Sequence, residues 1–216
     1  MKKLDVSFAD DFEVTGDGSA SAWSSVEWQP LSRVGQGPAA YPTRFKALYS
    51  PSGIYFLCDG EDRRLTATLD GDNLDLFTED VFEVFLWTDE AQTIYFEYEI
   101  SPLDHELPIV VPNHKGRFHG WLPWHGEGPR ATRHATSVRG GPKASGAAIS
   151  GWSAEFFIPF ALFQGLGNER ALPGTTWRAN VYRIDYDSGE PSHWAWNTAT
   201  SANFHDFRNF GTFHFL

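Results

Sequence analysis

An all-β fold is what this sequence predicts: an antiparallel β-sandwich, immunoglobulin-like or jelly-roll-like, with little helix. Three observations carry it. Runs of β-branched and aromatic residues recur with a period of two. Gly and Pro turns separate them at short intervals. Helical periodicity is confined to Phe160 to Leu166, one or two turns stopped at Gly167. The 216 residues suit one sandwich, so a single domain over residues 1–216 is expected.

Taken in order, Arg44 to Tyr49 and Ile54 to Cys58 read as a hairpin around Pro51-Ser52-Gly53. The polar stretch from Glu61 to Glu79, with Asp70, Gly71, Asp72, Asn73 and Asp75, reads as a long loop. Val81 to Trp87 and Thr93 to Ile100 form the next hairpin. Phe82, Val84 and Leu86 point inward with Ile94, Phe96, Tyr98 and Ile100. Glu83, Phe85 and Trp87 then share the outward face with Tyr95, Glu97 and Glu99. Residues 101–130, rich in Pro, Gly, His and Trp, read as loop. Arg133 to Val138 is a short strand, and Gly140 to Gly146 a turn. Trp152 to Ile158 is a strand ended by Pro159. Pro173-Gly174 turns into Thr176 to Ile184, and His193 to Trp196 and Gly211 to Phe215 complete the sheets.

Composition excludes several functions. Lys plus Arg is 17 against 28 Asp plus Glu, a net charge of −11. This disfavours binding to nucleic-acid phosphates or anionic lipid. No run of eighteen apolar residues exists, so no membrane insertion is expected. Cys58 is the single cysteine, which removes intramolecular disulfides and zinc sites with two or more cysteines, and Met1 is the single methionine, which disfavours methionine-ligated haem. Met1-Lys2-Lys3-Leu4-Asp5-Val6 lacks an apolar run behind its lysines. As it stands this is not a secretory signal. The expectation is a cytoplasmic protein, or one whose signal was removed.

Four groups of residues carry possible chemistry. Glu83, Glu97 and Glu99 place like charges on one sheet face, where they oppose folding. They suit acceptors for sugar hydroxyls or for a cation, or else form a solvated face beside Arg or Lys. Nine Trp exceed what one core absorbs with every indole N–H paired. Trp121 and Trp124 lie in a Pro- and Gly-rich loop, as stacking surfaces for a pyranose or as caps on the sandwich. Asp59, Glu61 and Asp62, and the acids of the 61–79 loop, suit calcium by chemistry but lack EF-hand spacing. His105, His114, His119, His125 and His134 show no ligand spacing. His193 and His205 suit hydrogen bonds to a ligand or a place at a sheet edge. No Gly-x-Ser-x-Gly, P-loop or dinucleotide fingerprint is present.

Several segments together resemble family 9 carbohydrate-binding modules and their DOMON-like relatives. They are Asp17-Gly18 followed by Trp23; Glu79-Asp80-Val81-Phe82-Glu83-Val84-Phe85-Leu86; Tyr95-Phe96-Glu97-Tyr98-Glu99-Ile100-Ser101-Pro102-Leu103; and Trp152-Ser153-Ala154-Glu155-Phe156-Phe157-Ile158-Pro159-Phe160. Trp177-Arg178-Ala179-Asn180-Val181-Tyr182-Arg183 follows, then Trp194-Ala195-Trp196, Phe204-His205 and Phe210-Gly211. Their order matches over nearly the whole chain.

The resemblance implies a sugar-binding β-sandwich that is not itself an enzyme and is associated with polysaccharide degradation. It implies an extracellular or periplasmic setting, a mono- or oligosaccharide partner and structural calcium. Some members stack a terminal sugar between two aromatic rings. Those positions carry over as Phe77 and Phe204, both Trp in a well-known sugar binder of the family. The strand carboxylate carries over as Glu83, and the Asn of the later strand as Asn180, with Tyr182 on the same face. Where that binder has Arg and Asn on the neighbouring strand, this chain has Glu99 and Ser101. Asp59 and Asp80 are the calcium candidates. Three alternatives stay open: a glycosidase using Glu83 and Glu97, a DOMON-like haem or redox carrier with His or Tyr ligation, and an orphan DOMON-like interaction domain whose ligand face has decayed. Oligomeric state is open as well.

Overall fold

The computed structural model describes residues 1–35, 41–115, 117–197 and 203–216. Its strands are β1 (Lys3–Phe8), β2 (Gln29–Pro30), β3 (Ser32–Val34), β4 (Thr43–Tyr49), β5 (Gly53–Glu61), β6 (Val81–Trp87), β7 (Ile94–Ile100) and β8 (Glu106–His114). Beyond these come β9 (Arg117–Phe118), β10 (Leu122–Pro123), β11 (Arg133–Arg139), β12 (Gly151–Pro159), β13 (Thr176–Asp185), β14 (Ser192–Ala195) and β15 (Gly211–Phe215). The helical content is short 3-10 turns, including Phe160–Phe163 where the sequence predicts a helical turn.

The strands run in the order β10-β8-β7-β6-β13-β15-β1-β4-β5-β12-β11. This path folds into two layers, and β1 joins them. Its first half, Lys3 to Val6, lies parallel to β15, and Ser7 and Phe8 lie parallel to β4. The sandwich is therefore antiparallel except at this strand. The core fills the space between layers with the alternate residues that period two predicts. Phe82, Val84, Leu86, Phe96, Tyr98 and Ile100 come from β6 and β7, and they meet Ile54, Phe56, Cys58, Trp152, Ala154 and Phe156 from β5 and β12. The Phe82 and Trp152 rings are 4.4 Å apart.

The expected loop over residues 101–130 contains a nine-residue strand, β8, paired along the whole of β7. Pro108 and Pro112 disguise it. Proline cannot donate to a ladder but is tolerated near a sheet edge. Here the carbonyls of both prolines still accept, from Trp124 and His119.

Both outer faces are covered. On the second layer Tyr55, Leu57 and Phe157 lie under Trp23, Phe12 and Trp28 of the N-terminal segment. On the first layer Phe85, Tyr95, Ile109 and Tyr182 lie under Leu76, Phe77, Trp121, Phe204, Phe207 and Phe210. No helix among the described residues is long and apolar enough to cross a membrane.

Candidate functional site

The outer face of the first layer is built by register. Glu83 of β6 pairs with Glu99 of β7, and Phe85 pairs with Glu97. On the other side of β6, Tyr182 pairs with Glu83 and Asn180 with Phe85. Beyond β7, Leu107 pairs with Glu99 and Ile109 with Glu97. Two cross-sheet rows result: Tyr182, Glu83, Glu99, Leu107, and Asn180, Phe85, Glu97, Ile109. Three carboxyl groups therefore sit side by side between apolar neighbours.

They are not a solvated face. Glu83, Glu97 and Glu99 are 2%, 3% and 0% exposed. They form the floor of a cleft of about 330 Å³, walled by Phe77, Phe118, Trp121, Phe204, His193 and His205. Neither oxygen of Glu99 has a donor in full hydrogen-bond geometry, nor does Oε2 of Glu97; the Phe77 amide and the Glu97 carboxyl act on Glu99 only from outside that geometry. Burial raises all three carboxyls. Glu97 is pushed up to about 8, with Glu99 opposing the shift. Burial first, then the charges of Glu83 and Glu97, hold Glu99 well above the usual range. Burial and then the Glu97 charge do the same for Glu83.

His205 borders this floor. Its Nδ1 lies 2.8 Å from the Tyr95 hydroxyl and 3.7 Å from Glu97 Oε2. Its ring stacks on Phe118 at 4.1 Å. Burial lowers the imidazole to about 4, so it is neutral at pH 7 and does not neutralise the carboxyls.

Five of the seven residues expected for ligand binding line this cleft: Phe77, Glu83, Glu99, Trp121 and Phe204. Asn180 and Tyr182 do not. Asn180 is completely buried, and its Nδ2 donates to the Tyr182 hydroxyl at 2.8 Å and to the Asn197 carbonyl at 3.1 Å. The Tyr182 hydroxyl donates to the Phe204 carbonyl, and the two rings stack at 4.0 Å and 16°. Both residues therefore hold Phe204 in place. Phe204, 6% exposed, offers the cleft far less surface than Phe118 at 45%. Phe118, Ile109 and Ile184 line the cleft without having been expected there. Period two marks Ile184 as sharing a face with Tyr182, whereas nothing local in Arg117-Phe118 places it over a strand. Trp124 belongs elsewhere: its indole donates to the Leu162 carbonyl at 2.7 Å.

Comparison with solved structures places this architecture. A Bacteroides uniformis protein, provisionally assigned to carbohydrate binding, matches with a TM-score of 0.76 at 18% identity, over 100% of this chain and 99% of that one. A family 9 carbohydrate-binding module from Caldicellulosiruptor kristjanssonii, in complex with glucose, matches with a TM-score of 0.67 at 15% identity, over 100% and 96%. A structure of such a module from that organism with cellotriose matches with the same score and identity, over 99% and 93%. The chain has the fold of these carbohydrate-binding modules. No protein-family model matches it, and no curated protein does.

The calcium candidates are engaged otherwise. Asp59 lies 3.1 Å from Arg44 and 2.6 Å from Arg139. Asp80 is buried and accepts the Thr66 and Tyr186 amides at 2.6 and 2.8 Å. Among the described residues, one trio of acids brings its oxygens within 4.8 Å of one another: Asp62, Asp185 and Asp187. Arg183 Nη2 sits 3.0 Å from Asp62 and 2.7 Å from Asp185. The guanidinium supplies the countercharge there, so the trio does not fit a calcium shell of six to eight oxygens.

Proposed function

We propose that residues 1–216 form one non-catalytic carbohydrate-binding domain. It takes a sugar, or the end of a polysaccharide, in the cleft over Glu83, Glu97 and Glu99. The observation that carries this reading is the pair of fully buried carboxyls with unfilled acceptor oxygens under an aromatic wall. A buried acceptor without a donor costs about 1–3 kcal/mol, more when charged, and a ligand hydroxyl or amine that fills it recovers that cost. The Phe77, Phe118 and Trp121 rings suit the C–H face of a pyranose. The shared fold with sugar-binding modules supports the same reading.

The electrostatics favour binding over glycoside cleavage. A retaining glycosidase needs one carboxyl protonated and its partner ionised. Burial drives Glu83 and Glu97 the same way, toward the protonated form. Burial therefore disfavours the ionised nucleophile that cleavage needs.

Calorimetric titration with glucose, xylose, galactose, cellobiose and xylobiose tests the proposal. Saturable heat with at least one of them is expected. Phe77→Ala should weaken that binding tenfold or more with an unchanged far-UV spectrum. Unaltered affinity in this variant would place the site elsewhere, and no heat with any of these sugars would refute binding of neutral sugars in this cleft.

A further inference from the structure

The wall and floor of the cleft disagree in one respect with what a neutral sugar needs. Its floor carries three acidic side chains, and no Lys or Arg lines it among the described residues. The residues outside the described set are Gln, Gly, Pro, Ala, Thr and Ser, so they bring no Lys or Arg either. The titratable neighbours are Tyr95 from β7, Tyr182 from β13, Tyr186 just after it, His205 from the chain before β15, and His193 from β14, on which the Arg33 charge of β3 acts from outside the cleft lining. Burial lowers both imidazoles, so these also contribute no positive charge at pH 7.

Other buried acids of the protein have aligned donors, as Asp80 has the Thr66 and Tyr186 amides. Asp62 and Asp185 have Arg183, and Glu155 has backbone and indole donors. The cleft floor has three carboxyl oxygens without a donor in full hydrogen-bond geometry, one on Glu97 and two on Glu99; elsewhere a single oxygen of Asp187 shares that state among the described residues. An ammonium group has three N–H donors and one positive charge. Electron-rich ring faces attract the same charge from the side, and here Phe77, Phe118 and Trp121 supply the rings.

We infer that the cleft selects a sugar bearing a protonated amine, a 2-amino-2-deoxy hexose at a chain end, with Glu97 and Glu99 receiving the ammonium and the aromatic wall covering the ring. This inference rests on the carbohydrate reading above and names the sugar class within it. A hydroxyl-only sugar meets the acceptors but brings no charge to a floor where burial disfavours carboxylates; an ammonium brings both donors and countercharge.

The test is calorimetric titration at pH 7 with D-glucosamine, N-acetyl-D-glucosamine, D-glucose and ethanolamine. Glucosamine should bind at least tenfold more tightly than glucose, and acetylation of its amine should abolish that advantage. Glu99→Gln and, separately, Glu97→Gln should each cut the glucosamine-to-glucose affinity ratio at least fivefold. Thermal melts identify the variants that stay folded, and the ratio in the parent protein tests the inference even if both variants fail. Glucose binding as tightly as glucosamine would overturn the inference and leave the carbohydrate reading standing. Ethanolamine binding as tightly as glucosamine would overturn the sugar half of it. No heat with any of the three sugars would overturn the inference and count against carbohydrate binding itself.

Discussion

Glu155 and Glu99 are both completely buried, and what surrounds them differs. Oε2 of Glu155 accepts from the Thr15 amide at 2.9 Å, the Thr15 hydroxyl at 2.6 Å and the Gly16 amide at 2.8 Å. The Gly18 amide adds a longer bond at 3.3 Å, and the Trp23 indole donates to Oε1 at 2.8 Å. Gly16 makes this nest possible. Its φ is +85°, and a Cβ there would lie 2.9 Å from the Ala135 carbonyl carbon. The Asp17-Gly18…Trp23 and Trp152…Glu155 segments are thus two halves of one clamp, tying the N-terminal segment to β12. They carry the fold. Glu155→Ala removes an acceptor shared by five donors, and hydrogen bonds to a charged group contribute about 1.5–3 kcal/mol each. We expect a loss of at least about 3 kcal/mol in urea unfolding. A loss below 1 kcal/mol would show the nest to be solvated. Glu99 has no such nest, only the Phe77 amide acting on it outside full hydrogen-bond geometry, and this contrast is why we place its function outside the chain.

At the scale of elements, the cleft is a sheet face plus two segments laid over it. The face is rigid, being two paired hairpin strands between β13 and β8. The covering segment around Phe204 is held by the Tyr182 stack and by the hydrogen bond from the Tyr182 hydroxyl to the Phe204 carbonyl. Tyr182→Phe keeps the stack and deletes the bond, at a net cost of about 1 kcal/mol. If the segment's position matters to the ligand, sugar affinity should fall about fivefold by calorimetry while Tm changes by only a few degrees. Full affinity would make the hydroxyl dispensable. The sheet face was legible in the sequence because period two assigns sides: Glu83, Glu97 and Glu99 were placed together by parity alone. What covers that face was not. Parity does not say that the neighbours of a carboxyl are Phe118 and Ile109 rather than water, because those contacts join residues far apart in the chain. The N-terminal strand escaped for a related reason. Its partners, β15 and β4, are parallel and distant, and its burial alternates only weakly.

Across the whole molecule, the net charge of −11 conceals a group of acids that are not ordinary surface acids. Burial raises Asp80 and Glu97 to about 8 and Asp62 to about 7, and raises Asp185, Glu83 and Glu99 as well. For Asp62 and Asp185 the Arg183 charge opposes the shift without cancelling it. A raised acid holds its proton in the folded state after the unfolded chain has lost it. Between the unfolded and folded pKa values the native state binds more protons, so stability falls as pH rises. The imidazoles of His193 and His205 act oppositely, since their folded values are lowered; their stabilisation is complete above the unfolded value near 6.5 and is lost as pH falls below it. His134, raised by Asp104 and Glu106 against its burial, loses its contribution as pH rises through its folded value. The surface acids Asp5, Asp17 and Asp206, held low by hydrogen bonds, contribute stability that is lost only in acid. From pH 6.5 to 8.5 the His193 and His205 contributions finish early, His134 changes in the same direction as the acids, and the raised acids dominate. In a chain of this size 1 kcal/mol moves Tm by about 2–4 °C, so Tm should drop by at least about 5 °C across that interval in low salt. A bound cationic ligand keeps the cleft carboxyls ionised and recovers part of the drop, whereas the same melts with Arg183→Met should show a lower Tm throughout, because two buried carboxyls lose their partner. A flat Tm between pH 6.5 and 8.5 would mean that water reaches the cleft floor and the Asp62 cluster, and that their carboxyls titrate like surface acids.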